Sequence, residues 1–332
     1  MELHFVIIAV VILALSFDFI NGFHDTANAI ATSISTKAIR PRVAIVLAAV
    51  MNLLGALTFT GVAKTVGGSV ANPASLDNGV YVVAAALVAA IIWNLLTWYY
   101  GIPSSSSHAL IGSLAGAVIA SAGFSAVNLK GFLTIIEALI LSPLIAFTIG
   151  YIIMSIIRII FANFSPHKMN SKFRFLQIFT ASFQAFSHGT NDAQKTMGII
   201  TFALVAGGYQ DTLDVALWVK VSAAVAMALG TSVGGWRIIK TVGSKIIKLE
   251  PASGFAADLS SALIIIGATI IRLPVSTTHV ISSSIMGVGS AKRLSSVKWG
   301  TAVTMVSAWI ITLPITMLLA ALSFIIVQAL FL

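Results

Sequence analysis

Apolar runs long enough to cross a membrane follow one another through this chain, at residues 43–60, 80–100, 135–157, 256–271 and 297–332. A helix needs about 20 residues to span hydrocarbon. The bilayer interior offers the backbone no hydrogen-bonding partner, so only helices and closed barrels can cross it. Barrel strands would alternate polar and apolar positions; these runs do not, and the chain is predicted to be an all-α polytopic membrane protein. Composition agrees, with 58% hydrophobic and 9% charged residues, against about 25% charged in soluble domains. Residues 3–15 lack a basic leader and run into Ser16, Phe17 and Asp18 rather than a small-residue cleavage site. That stretch reads as the first membrane segment and not as a removable signal. The chain has no cysteine, which excludes disulfides, thiolate metal sites and thiol catalysis. Its net charge of +9 reads as topology determinants in loops, not as a nucleic-acid surface.

Two polar strings interrupt this background, and each occurs twice in the same order. Asn21, Gly22, Phe23, His24, Asp25, Thr26, Ala27 and Asn28 are echoed by His188, Gly189, Thr190, Asn191, Asp192, Ala193, Gln194 and Lys195. Pro103, the serines at 104–107 and His108 are echoed by Pro274, Val275, Ser276, Thr277, Thr278 and His279. Asp192 follows Asp25 by 167 residues and His279 follows His108 by 171, so the offsets nearly agree. Two weaker pairs keep the same order: Leu54, Gly55 and Lys64–Gly67 with Leu229, Gly230 and Lys240–Gly243, and Pro143 with Pro314. The chain is therefore read as two repeats, 1–157 and 174–332, joined by a basic linker over 158–173. Doubled, Gly/Pro-interrupted polar segments in a membrane protein point to a transporter's substrate site.

Loop charge orients the repeats. Lys37, Arg40 and Arg42 flank the first connection, whereas its counterpart at 207–213 has Asp211 and no Lys or Arg. The next connection reverses the bias: 66–79 lacks Lys and Arg, while 236–251 holds Arg237, Lys240, Lys245 and Lys248. The positive-inside rule puts equivalent loops of opposite bias on opposite faces, which requires an odd number of crossings per half and an inverted topology. Five segments per half satisfy this, near 3–38 (interrupted at Asn21 and Gly22), 42–62, 80–100, 103–123 and 131–157, then 174–207, 214–235, 255–271, 274–290 and 298–331. Counting broken segments as two pieces gives 10 to 12 helical elements. The linker then lies in the cytoplasm and both termini outside, with Arg272 as one discordant charge. Whether the Pro-Ser strings tip hairpins or unwind spanning helices stays open.

The strings also define a chemistry. A carboxylate at membrane depth costs about 2.5–3.5 kcal/mol on insertion scales and marks an ion or proton path, which singles out Asp25 and Asp192. Each Pro-Ser string should open a helix with Ser105–Ser107 or Ser276–Thr278 supplying caps and free N–H groups, and helix N-termini attract anions. With the amides of Asn28, Asn191 and Gln194, the donors suit an oxyanion that the carboxylates would repel. Cations or protons on Asp25 and Asp192 cancel that repulsion, so each ligand favours the other, as a symporter requires. His108 and His279 could bond substrate, shuttle protons or bond backbone; Lys195 could neutralise Asp192 or face water. No metal-ligand histidine spacing is present.

These strings resemble those of the inorganic phosphate transporter (PiT) family, a G-x-N-D string in each inverted half followed by P-x-S-[ST]-[ST]-H. Gly189–Asp192 and Pro274–His279 match closely; Gly22–Asn28 matches except that His24 replaces Asn. The resemblance covers essentially the whole chain. It implies symport of inorganic phosphate by alternating access, with sodium or protons. It also implies cation sites at Asp25 and Asp192 assisted by Asn28 and Asn191, and phosphate among Thr26, Gln194, Ser105–Ser107 and Ser276–Thr278. Asn21, His108, Lys195 and His279 would support them. Some relatives carry a glutamate before the second Pro-Ser string, where Asp258 is the nearest acid. The resulting expectation is a sodium-coupled phosphate symporter of the cell membrane, without a resident cofactor. Proton coupling and sulfate are the nearest rivals, and large apolar faces are compatible with a homodimer. A membrane enzyme acting on phosphorylated lipid needs one asymmetric nucleophile–base pair, against which the duplication argues.

Overall fold

The computed structural model describes residues 3–331. The first half runs through α1 (Leu3–His24), α2 (Thr26–Ser35), α3 (Pro41–Ala56), α4 (Gly61–Ser69), α5 (Gly79–Tyr100), α6 (Ser106–Ala122) and α7 (Leu129–Ile160). The second runs through α8 (Pro166–Ala206), α9 (Leu217–Val233), α10 (Trp236–Ser244), α11 (Pro251–Ile270), α12 (Thr277–Lys292) and α13 (Trp299–Phe331). No strand occurs among the described residues, as the apolar runs predict. Five helical stretches are long and apolar enough to cross a membrane, or seven when each bent pair counts as one span.

Both halves use the same order of parts: a long helical stretch, a bent pair, a hairpin, and a long helix containing proline. The bent pairs, α3 with α4 and α9 with α10, both turn by 73°. In the hairpins, α5 packs along α6 and α11 along α12. Pro143 sits inside α7 and Pro314 inside α13. Prolines at the first turn start α3 and α11, where the missing N–H costs nothing.

The halves do not pack as separate bodies. Helix α1 crosses α9 and α3 crosses α8, while α6 packs on α13 and α12 on α7. Glycines at repeat-equivalent places make these crossings close. A Cβ on Gly22 would collide with the Met227 carbonyl of α9, and one on Gly189 with the Asn52 carbonyl of α3. The hairpins repeat the device, Gly116 against the Met317 carbonyl of α13 and Gly287 against the Phe147 carbonyl of α7. Small residues that let backbones approach are the usual adhesive between helices in lipid. Outward faces stay apolar, with Ile140, Leu144 and Ile152 of α7 and Ile310, Leu318 and Ile325 of α13 exposed, as a lipid-facing surface requires.

Three local expectations need correction. Helix α1 continues through Asn21 and Gly22, and the irregularity falls at Asp25. The equivalent string of the second half lies within the unbroken, 41-residue α8, because Gly189 serves the crossing with α3 and not a break. The segments read as single spans at 42–62 and 214–235 are the two bent pairs.

The Pro-Ser strings form hairpin tips. Residues 101–105 and 271–276 link antiparallel helices, and Ser104, Ser105, Ser276 and Thr277 are all buried. The first residue after α5, Gly101, has φ 66° and Arg272 has φ 62°, the left-handed region that favours glycine. Each is held by a threonine of the other half's bent pair. Thr241 of α10 donates to the Gly101 carbonyl at 3.0 Å, and Thr65 of α4 to the Arg272 carbonyl at 2.8 Å. Arg272 thus lies in the hairpin turn between α11 and α12.

Candidate functional site

The two hairpin tips meet each other and the two carboxylates. Ser105 caps α6 by accepting from the His108 N–H at 3.1 Å, and Ser276 caps α12 by accepting from His279 N–H at 3.3 Å. A side-chain cap satisfies one orphan donor of the first turn and holds the turn in place. The next two residues of each helix then point their hydroxyls inward. Ser106 donates to Asp25 Oδ2, and Thr278, from the opposite hairpin, donates to Asp25 Oδ1 at 3.0 Å. Ser107 donates to the Val275 carbonyl at 3.1 Å, closing one tip against the other. Thr277 donates to Asp192 Oδ2 at 3.0 Å.

The two carboxylates are buried, and their partners differ in charge. Asp25 has His24 Nδ1 at 2.7 Å and no Lys or Arg ion pair among the described residues. Asp192 has the Lys195 ammonium on Oδ1 and His188 Nε2 at 3.1 Å from Oδ2. Lys195 also donates to the Val275 carbonyl at 2.9 Å and is itself buried. An unpaired carboxylate in such surroundings is costly unless neutralised. The expected external cation at Asp192 therefore meets an ammonium already in place, whereas Asp25 has none.

The amides divide likewise. Asn28 donates to Thr278 Oγ at 2.9 Å, directly beside Asp25. Asn191 Nδ2 donates to Thr269 and to the Leu273 carbonyl, and its Oδ1 accepts from the Val275 N–H, so it pins the second tip. Asn21 is buried with neither side-chain atom hydrogen-bonded among the described residues. The rings of His108 and His279 lie 4.6 Å apart, and His279 stacks on Trp309 at 4.0 Å. Trp309 in turn donates to the Pro103 carbonyl at 3.0 Å.

Two residues expected around an oxyanion are engaged elsewhere. Gln194 Oε1 accepts from the Val62 and Ala63 N–H groups at 2.8 and 3.2 Å, and its Nε2 donates to the Thr190 carbonyl. It caps the start of α4. Thr26 bonds Asn52 at 3.0 Å and Thr231 at 3.1 Å, at the junction of α2, α3 and α9. Two members of the strings that were given no role at the site, His24 and His188, also reach the carboxylates. His188 stands one helical turn before Asp192, a spacing visible in the sequence. Asp258 forms a separate buried group, accepting from Thr32 at 2.5 Å and from Gln177 at 3.1 Å.

Comparison with known proteins gives a consistent result. The pattern of the phosphate transporter family matches residues 21–320. The chain is 61% identical over 325 residues to a probable low-affinity inorganic phosphate transporter of Bacillus subtilis (strain 168), covering 98% of each. A protein of Rhizobium meliloti (strain 1021) bearing the same description is 45% identical, over 96% of this chain and 95% of its own. Among solved structures, one titled "The sodium-dependent phosphate transporter" superposes with a TM-score of 0.85 at 24% identity, over 98% of this chain and 99% of that one. At that identity the likeness concerns the fold.

Proposed function

The chain belongs to the phosphate transporter family, and from that membership we propose that it moves inorganic phosphate across the cell membrane by symport with sodium, through alternating access to a site between the two hairpin tips. It is a transporter and not an enzyme. The observation that carries the coupling is that Asp25 holds hydroxyls from both tips, Ser106 from one and Thr278 from the other. While the carboxylate is bare, those hydroxyls are spent on it. A sodium ion at Asp25 takes over the negative charge, and the two hydroxyls become free to donate to phosphate at the N-termini of α6 and α12, where the helix dipoles favour an anion. Carboxylate, hydroxyl and amide oxygens suit a hard cation. Cation and anion therefore bind with positive coupling, which by linkage is reciprocal.

The doubled order of parts, with glycines and threonines exchanged across the halves, supports an inverted pair of repeats. On that reading the linker at 158–173 is cytoplasmic and both termini are outside. Phosphate then sits where elements of both repeats converge, and rocking one set of hairpins against the other opens it to each side in turn.

One observation favours protons as the coupling ion: His24 Nδ1 stands 2.7 Å from Asp25, so a titratable ring adjoins the carboxylate. Uptake of radiolabelled phosphate into proteoliposomes, with sodium and pH gradients imposed separately, decides between them. Sodium coupling predicts accumulation driven by the sodium gradient alone. Accumulation that follows only the pH gradient assigns protons. Equal competition by sulfate would count against phosphate as the specific substrate.

A further inference from the structure

The two carboxylates occupy repeat-equivalent positions, yet the residues three places after them differ: Asn28 in the first half stands where Lys195 stands in the second. Asn28 is neutral and donates to Thr278. Lys195 is cationic, 1% exposed, and places its ammonium between an Asp192 oxygen and the Val275 carbonyl at the second hairpin tip. The Val275 carbonyl also accepts from Ser107 of the first tip, so the ammonium sits where the two tips join. A carboxylate oxygen and a backbone carbonyl are the ligand types that a bound sodium ion takes from a protein. A lysine at membrane depth is expensive unless paired, and here the pairing is complete.

From this geometry we infer that Lys195 is a tethered cation, filling permanently at Asp192 the place that an exchangeable cation fills at Asp25. The inference rests on the symport reading and deepens it. A covalently held ammonium cannot be released to the other side of the membrane, so Asp192 is neutralised in every conformation and contributes no coupled ion. Only the first half loads and unloads a cation at its motif carboxylate. The cycle then moves one cation fewer per phosphate than one in which both carboxylates bind ions.

Lys195→Asn, which gives the second half the residue of the first, and the double variant D192N/K195N test this against the wild-type chain. The ratio of radiolabelled sodium to phosphate taken up should rise by one in Lys195→Asn, because the bared Asp192 now needs an ion. It should return to the wild-type value in the double variant, where no carboxylate is left to neutralise. An unchanged ratio in Lys195→Asn, or a ratio raised equally in both variants, overturns the inference. Should either variant fail to transport, melting of the purified full-length protein decides. Added sodium should raise the melting temperature of Lys195→Asn more than that of the wild type or the double variant; an equal rise in all three overturns the inference. The symport reading fails separately, through wild-type uptake indifferent to sodium, while the melting comparison between variants remains interpretable.

Discussion

At Asp25 a single carboxylate organises hydroxyls from both halves, so its charge and not its shape is the functional property. Asp25→Asn keeps the volume and two hydrogen-bonding positions while removing the charge that holds a cation. Hydrogen bonds to a charged group contribute about 1.5–3 kcal/mol, which corresponds to roughly ten- to hundredfold in affinity. Cation-driven phosphate uptake should fall by at least that factor, with near-normal melting of the purified protein. Ser106→Ala should weaken phosphate binding by a similar factor and leave sodium binding in the absence of phosphate close to normal, measurable by equilibrium binding of each ion. Gln194 provides the opposite case. Its Oε1 closes the start of α4, so Gln194→Leu orphans two N–H groups at about 1–3 kcal/mol each, lowering the melting temperature while phosphate affinity is kept. The carboxylates and the Ser/Thr strings were legible because each occurs twice amid apolar sequence. The capping role of Gln194 and the Thr26 contact with Asn52 and Thr231 were not, since their partners lie far away along the chain and only the crossing of helices brings them together.

Among the elements, glycine carried two meanings that sequence alone does not separate. A glycine in a helical stretch can mark a break or a close approach of backbones. In the motif strings Gly22 and Gly189 are approaches: α1 and α8 run through them to meet α9 and α3. The real bends lie at 57–60 and at Gly234–Gly235. Gly234 has φ 74°, so the second bend had a visible signal in its glycine pair, whereas the first has a single glycine, Gly61, where α4 begins. If Gly22 and Gly189 serve the same kind of crossing in the two halves, adding a methyl group should do equal harm to both. Gly22→Ala and Gly189→Ala force a Cβ against a backbone carbonyl, and overpacking of this sort costs about 1–3 kcal/mol. Both should lower the melting temperature by comparable amounts. A loss at only one of them would mean that the crossings are not equivalent.

For the whole molecule, the hairpins make the sidedness read from loop charge independent of whether their tips stop within the membrane or cross it. A hairpin whose tip stops at the centre returns to the side it left, and one that spans twice does the same. Either way it adds an even number of crossings, so each half has an odd count, as the proposed inverted topology requires. The topology proposed from the basic linker and the charge-reversed loops puts residues near 40 and 168 in the cytoplasm and residues near 77 and 211 outside. The chain contains no cysteine, so single-cysteine variants report without further changes. Arg40→Cys, Lys168→Cys, Asp77→Cys and Asp211→Cys all replace residues exposed in the structure. A membrane-impermeant maleimide should label Asp77→Cys and Asp211→Cys on intact cells, and the other two only after the membrane is opened. Arg40 and Asp211 belong to equivalent connections of the two repeats. Labelling of both from the same side would remove the inversion, and with it the argument that phosphate sits where two oppositely oriented halves converge.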